Sequence, residues 1–454
     1  MYRRIVNNKR NISRLVNRCL LSSSSSSSTS SSSSSSSSVP IIQKIEQQQY
    51  VVEKTPITAS LWSLRKNANI PNVPNIPDEG IKSVISKDPI AVVVEKAPKE
   101  SRLQVRYNFK DEKNLRGSYV DSLGNILTGK LLEDLDALAG NVTCLHCFNS
   151  TGPNNLSLVT ASVDRIIQTK PIPANENYIL VGQTAWVGRS SLDVVIELHR
   201  AEDVDSGKTD IESLMLSDST SLLLSSLFTF VARNSRTDKS VLINRLKPTT
   251  SPEIELYMQR DETAAARKKK LIAPQVSDVC ETKFKNLVED GQAAEDMPSL
   301  TDPNSILMRK TQLENIFICQ PQNVNTAGRI FGGFLMHRAY DLAHATCYSF
   351  AGAYPHFKEV DEISFKKPVD IGDLVRLKSK VVYTSNDKND DTKPIVQIEV
   401  TCHVVKPESH SSFISNTFDF IFQIDTMKPL KAILPSTNAE ARLLISALNN
   451  RSKR

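Results

Sequence analysis

The sequence predicts an α+β protein made of two copies of one unit, each a long central helix wrapped by an antiparallel sheet. Three observations predict it. A segment of the first half returns without gaps in the second, an apolar stretch of helical length opens each copy, and runs of alternating polarity close each. A largely apolar helix must be buried on more than one side, and a wrapping antiparallel sheet provides that burial.

The repeat is read directly. DSLGNILTGKLLEDLDALA, Asp121 to Ala139, lies on NTAGRIFGGFLMHRAYDLA, Asn325 to Ala343, so that Gly124 meets Gly328, Gly129 meets Gly333 and Leu138 meets Leu342. Downstream, SVDRIIQTKPI lies on EVDEISFKKPV, setting Asp164 opposite Asp361 and Lys170 opposite Lys367. Phe228 and Phe230 answer Phe418 and Phe420, each pair two apart, as on a strand with one buried face. In the second copy the strands are visible as EISFKKPV, LVRLKSKVVYT, IVQIEVTCHVV and FISNTFDFIFQ.

Around the copies the remaining segments follow in order. The opening 21 residues interleave Arg and Lys with Ile, Val and Leu, contain no acid and lack a secretory apolar core, the pattern of a mitochondrial transit peptide. A Ser run from Ser22 to Ser38 follows as a solvated spacer, which sets residues 1–45 apart. Residues 46–99, with VPNIPDEG and further prolines, read as an extended arm. The first copy takes 100–240, a helical linker 241–304, the second copy 305–428 and a C-terminal tail 429–454. In the linker, Ser251 reads as an N-cap, Pro252 as the first helical residue, and Arg267 to Lys270 as a solvated basic helix end.

Composition excludes several classes. The formal charge of +6 includes seven Lys or Arg in residues 1–45 and no acid there, which leaves −1 for the rest, so a nucleic-acid partner is not expected. No stretch is long and apolar enough for a membrane-spanning helix. The seven cysteines form no framework, and Cys144 with Cys147 reads as a pair of packed thiols. His337, His344 and His403 lack metal-ligand spacing and no serine-hydrolase elbow is present, so neither a metal nor a separate cofactor is expected.

NTAGRIFGGFLMHRAYDLAHAT followed by VDEISFKKPVDIGD resembles the double-hotdog acyl-CoA thioesterases, and LLEDLDALAG, VTASVDRI and WVGRSSLDV resemble their mitochondrial branch. The resemblance spans roughly residues 100 to 430. It implies a tandem hotdog, hydrolysis of fatty acyl-CoA to free acid and coenzyme A in the mitochondrial matrix, and assembly of chains as trimers. In the family, an Asn before the glycines of one hotdog works with an Asp or Glu on the central helix of the other.

Carried onto this chain, the loop position holds Asn325 in the second copy and Asp121 in the first, and the helix position holds Tyr340 and Asp136. Crossing the halves pairs Asn325 with Asp136 and Asp121 with Tyr340. Only the first pair joins an amide to an acid, and its loop keeps the glycine pair Gly332 and Gly333, where the other has Thr128 and Gly129. Unpaired N–H groups at a glycine-marked helix start can hold a thioester oxygen as it becomes an oxyanion. Asp136 is then expected to activate water or attack, Asn325 to orient it, Gly332 and Gly333 to stabilise the oxyanion, and the Asp121 and Tyr340 site to be degenerate. Glu133 and Asp134 are expected on an exposed acidic face. Arg189, Ser190, Ser191, Lys366 and Lys367 are candidate contacts for the phosphates and pantetheine of coenzyme A. The competing readings are a non-enzymatic acyl-CoA-binding sensor or scaffold and a CoA-ester hydratase; the hydratase requires a His at the helix position that neither copy has.

Overall fold

The computed structural model describes residues 54–67, 93–148, 156–206, 221–235, 237–270, 279–325, 328–361, 363–385, 393–426 and 428–451. The transit-peptide and spacer segment and the VPNIPDEG stretch lie outside the described residues.

In chain order the helices are α1 (Pro56–Asn67), α2 (Lys113–Tyr119), α3 (Thr128–Cys147), α4 (Ala201–Asp205), α5 (Ser251–Lys270), α6 (Val279–Asp296), α7 (Gly332–Ala351) and α8 (Asn438–Arg451). The strands are β1 (Glu95–Lys96), β2 (Leu103–Tyr107), β3 (Leu156–Gln168), β4 (Tyr178–Val187), β5 (Ser191–Arg200), β6 (Leu222–Asn234), β7 (Arg245–Leu246), β8 (Ser305–Leu307), β9 (Leu313–Ile318), β10 (Pro355–Val360), β11 (Ile363–Phe365), β12 (Leu374–Ser385), β13 (Ile395–Lys406), β14 (Ser411–Ile424) and β15 (Ala432–Leu434).

One sheet runs through both copies in the order β2-β4-β5-β6-β3-β10-β14-β13-β12-β9, with β11 continuing β10 beside β3 and β14. Each half has the same order read outward from the seam. At the seam β3 runs antiparallel to β10 and β11, pairing Ile166 with Val360 and Val163 with Ile363. Sequence alignment makes Val163 the counterpart of Val360 and Ile166 that of Ile363, so the two pairs exchange under a pseudo-twofold axis. The same axis relates α3 and α7, which pack on one another: Glu133 and its counterpart His337 meet across it, Oε1 to Nδ1 at 2.7 Å.

The two central helices are buried unequally. All of α3 except Lys130 and Leu145 is buried, whereas α7 keeps Arg338, Ala345, Tyr348 and Ser349 exposed or half-exposed. Helix α1 makes the difference, because it lies along α3. Residues 46–99 are therefore not simply an extended arm: Thr55 caps α1 by accepting from the Thr58 N–H at 3.0 Å, and Pro56 stands first in the helix.

The expectation of an exposed acidic face on α3 is corrected too, since α7 covers Glu133 and the start of α1 with Tyr107 and Tyr119 covers Asp134. Asp134 is fully buried and Glu133 nearly so. The carboxylate of Asp134 accepts hydrogen bonds from Thr55, from Thr58 at 2.9 Å, from the Tyr107 hydroxyl at 3.0 Å and from that of Tyr119 at 2.5 Å. Burial outweighs these four donors and pushes the carboxyl up to about 6.

Helix α5 covers the outer face of the first half, and all ten residues of β4 are buried between it and α3. Arg260 of α5 bridges two buried acids, Asp164 at 2.5 Å and Asp193 at 2.8 Å, and the Trp186 indole N–H donates to Asp261 at 3.0 Å. The cap of α5 falls one residue earlier than expected. Thr250 precedes the helix, and Glu253 reaches back to accept from the N–H groups of Thr249 and Thr250 at 2.8 and 3.1 Å. The side chains of Arg267 to Lys270 lie outside the described residues. The C-terminal tail is partly ordered structure, with β15 paired to β8 and α8 packed against α6 and β12.

Candidate active site

The turn before each central helix is built alike. Asp121 receives the Asn125 N–H on Oδ1 at 2.8 Å, Asn325 receives the Arg329 N–H on Oδ1 at 3.1 Å, and Gly124 and Gly328 follow at φ +82° and +79°. A positive φ is where glycine carries no steric penalty, which is why the glycine recurs. In each copy an isolated bridge, Val120 to Ile126 and Val324 to Ile330, closes the turn. Asn325 thus accepts within the turn through its Oδ1, and its Nδ2 is the donor end of the same amide.

Helix α7 then starts at Gly332 with no side-chain cap of its own, since its N-cap residue is Phe331. The cap comes from the other copy. Asp136 of α3 accepts the Gly333 N–H on Oδ2 at 2.7 Å, and its Oδ1 accepts from the Thr160 hydroxyl of β3 at 3.1 Å. Asp136 is buried, so the N-terminal end of α7 and these two donors stand where water would surround its carboxyl. The approach is tight: a Cβ on Gly332 would stand 3.0 Å from Asp136 Oδ2 and 3.2 Å from the Phe365 ring, so both would have to give way.

At the corresponding place in the other half, Tyr340 of α7 meets the start of α3. Burial raises the pKa of its hydroxyl, with Thr128 and Asp121 near enough to act on it more weakly. The counterpart of Thr160 is Phe357, whose ring stands edge-on to Tyr340 at 5.7 Å. A buried carboxylate held by a hydroxyl and a backbone N–H in one half is a packed aromatic cluster in the other.

Asp136, Gly332 and Gly333 are therefore brought together across the halves. The Gly333 N–H is engaged by the acid itself, which differs from a helix start left open for an oxyanion. Asn325 sits in the turn leading to Gly332. Lys366 and Lys367 are exposed and directly follow Phe365, whose ring borders Gly332, and Lys367 Nζ lies 4.6 Å from the Phe413 ring centroid. Arg189 and Ser190 lie in the turn between β4 and β5, and Ser191 opens β5. There Ser191 pairs with Val231 and Val231 with Val159, two strands from the neighbour of Thr160.

Thr160, Phe365 and Phe331 were missed by sequence reasoning. Aligning VTASVDRI with the segment before EVDEI would have set Thr160 against Phe357 and exposed one more difference between the two halves.

No protein-family model matches the chain. It is 40% identical over 404 residues to acyl-coenzyme A thioesterase 4, mitochondrial, of Humulus lupulus, covering 87% of this chain and 73% of that protein. Acyl-coenzyme A thioesterase 2, chloroplastic, of the same plant is 38% identical, covering 87% and 88%. Human acyl-coenzyme A thioesterase 9, mitochondrial, is 30% identical over 362 residues, covering 76% of each. Identity at this level over most of both partners establishes common descent, and the chain belongs to the acyl-coenzyme A thioesterases, enzymes that hydrolyse the thioester of an acyl-CoA.

Proposed function

We propose that the hydrolysis is carried out at a single composite site between two tandem hotdog domains, residues 100–240 and 305–428, on fatty acyl-CoA. The observation that supports this reading is the hydrogen bond from the Gly333 N–H to Asp136 Oδ2 across the two halves. Asp136 takes a proton from water as the water oxygen attacks the thioester carbon. The oxyanion that forms is stabilised at the start of α7 by the N–H groups of Gly332 and Gly333, the second released from Asp136 as the substrate enters. Asn325 orients the carbonyl or the water through its amide. Collapse expels coenzyme A as its thiolate, which takes up the proton, and leaves the free acid. No metal or separate cofactor takes part, so activity is expected to survive a chelator. Direct attack by Asp136 on the thioester differs only in passing through an anhydride that water then opens.

The site of Asp121 and Tyr340 is degenerate in this reading, because a buried phenol packed on Phe357 is no general base near neutral pH. Arg189, Ser190, Ser191, Lys366 and Lys367 lie at strand ends and turns, where side chains can reach the coenzyme A phosphates. The acid-free amphipathic start of the sequence and the relatives named mitochondrial support a location in the mitochondrial matrix, and assembly is proposed as trimers of the double unit.

The test is thiol release from acyl-CoA by protein starting near residue 46, for wild type, Asp136→Asn and Asn325→Ala. Asp136→Asn is expected to lose about 100-fold or more in kcat, in keeping with removal of a positioned base, and Asn325→Ala about 10-fold or more. Full activity of Asp136→Asn would remove Asp136 from the chemistry and leave the fold untouched.

A further inference from the structure

Helix α1 contacts both partners of the composite site. On one side it is tied to α3, the helix that carries Asp136. Thr55 and Thr58 donate to Asp134, two residues before Asp136, the Asn141 amide donates to the Leu61 carbonyl at 2.8 Å, and Leu61 is buried. On the other side, Trp62 stands edge-on to Phe331, the residue before Gly332, with ring centroids 5.2 Å apart at 83°. Lys54 lies over both rings, its Nζ 3.8 Å from the Trp62 centroid and 5.1 Å from that of Phe331.

The Phe331 ring in turn lies under Gly333: a Cβ there would come within 2.6 Å of Phe331 Cε1. The chain of contacts is Trp62, Phe331, Gly333, and the Gly333 N–H that meets Asp136. The internal duplication supplies a comparison. In the other copy Phe331 is replaced by Leu127, and the residues of α7 that correspond to Asp134 and Asn141 are Arg338 and Ala345, on a face that is exposed or half-exposed. The helix that breaks the pseudo-twofold symmetry is thus placed on the half-site that kept its acid and its glycine pair.

We infer that α1 is a positioning element of the composite site: Trp62 presses Phe331 against the Gly332–Gly333 turn and sets the α7 N–H groups against Asp136. The inference rests on the reading of Asp136, Gly332 and Gly333 as the working site. Trp62 itself is a positioning residue that acts through Phe331, so its loss is felt in the chemical step more than in substrate affinity.

The experiment is steady-state thiol release by the chain starting near residue 46 for wild type, Trp62→Ala, Trp62→Phe, Phe331→Leu, Tyr348→Ala and Asp136→Asn, each with a thermal melt. Trp62→Ala and Phe331→Leu are expected to lower kcat about 10-fold with KM within about 2-fold, a size set by a small misplacement of reacting groups. Trp62→Phe is expected to recover most of the loss, and Tyr348→Ala, on the exposed face of α7, to keep wild-type kcat. Wild-type kcat in Trp62→Ala overturns the inference, as does an equal fall in Trp62→Phe or a rise in KM that accounts for the loss. Should Trp62→Ala fail to fold, Phe331→Leu, which keeps an apolar side chain, decides by the same criterion. A loss in Asp136→Asn beside an unimpaired Trp62→Ala sinks the positioning role alone, whereas full activity in Asp136→Asn sinks the site assignment beneath it.

Discussion

Asp136 and Tyr340 occupy matching places on two copies of one helix and differ in what surrounds them. Asp136 keeps a hydroxyl, a backbone N–H and a helix start, which hold its carboxyl in place; Tyr340 has Phe357, Phe420 and Phe422 around its ring. A single buried residue near the far end of α3 shows how strongly burial acts here. Burial pushes the His146 imidazole down to about 4, its Nε2 standing 2.9 Å from the Asn244 carbonyl. The folded state binds that proton less readily than the unfolded chain, whose His titrates near 6.5. The stability it supports is complete above about pH 6.5 and lost as pH falls toward 4, a span worth roughly 3 kcal/mol. Thermal melts from pH 7 to pH 4 are expected to show wild type losing its advantage over His146→Gln across that window. A gap between the two proteins that stays constant with pH would contradict this.

At the scale of elements, the two central helices cross at their glycines. Gly129 faces His337, and Gly333 faces both the Phe331 ring and the backbone of Glu133, whose Cα would stand 2.9 Å from a Cβ placed on Gly333. A methyl at Gly129 meets the His337 ring, which can turn aside at the loss of its bond to Glu133; one at Gly333 meets backbone that cannot move without parting the helices. Gly333→Ala is therefore expected to cost about 1–3 kcal/mol of stability and at least 10-fold in kcat, and Gly129→Ala much less of both, as melts and thiol release together would show. Equal effects at the two glycines would mean the helices slide freely. Sequence patterning was sufficient for α3, α7 and the strands β12 to β14, because apolar period and turn glycines are local signals. It missed α1, although Thr55 and Pro56 are a helix start in plain view, because the prolines further along dominated the reading of that region. It also placed Glu133 and Asp134 in solvent, since only tertiary packing covers them, Glu133 by α7 and Asp134 by the start of α1 with Tyr107 and Tyr119.

Across the whole molecule, the continuous sheet and the crossed helices make each half dependent on the other. The acid belongs to the first half and the glycine turn to the second, so residues 46–304 and 305–454 produced separately are expected to release no thiol, and produced together to recover activity. Hydrolysis by the second half alone would contradict a site shared between them. The separated halves also expose the β3 and β10 edges at the seam, which favours their rejoining. The duplication, the two central helices, the strands of the second copy and the set Asp136, Asn325, Gly332 and Gly333 that differs between copies are all legible in the residue string. They are properties of spacing and residue type, visible by laying one half on the other. Packing alone fixes that the Gly333 N–H donates to Asp136, that Thr160 donates to the same acid, and that α1 meets Phe331 through Trp62. Each is a contact between residues far apart in the chain, set by how surfaces fit together and not by any local preference of the residues that make it.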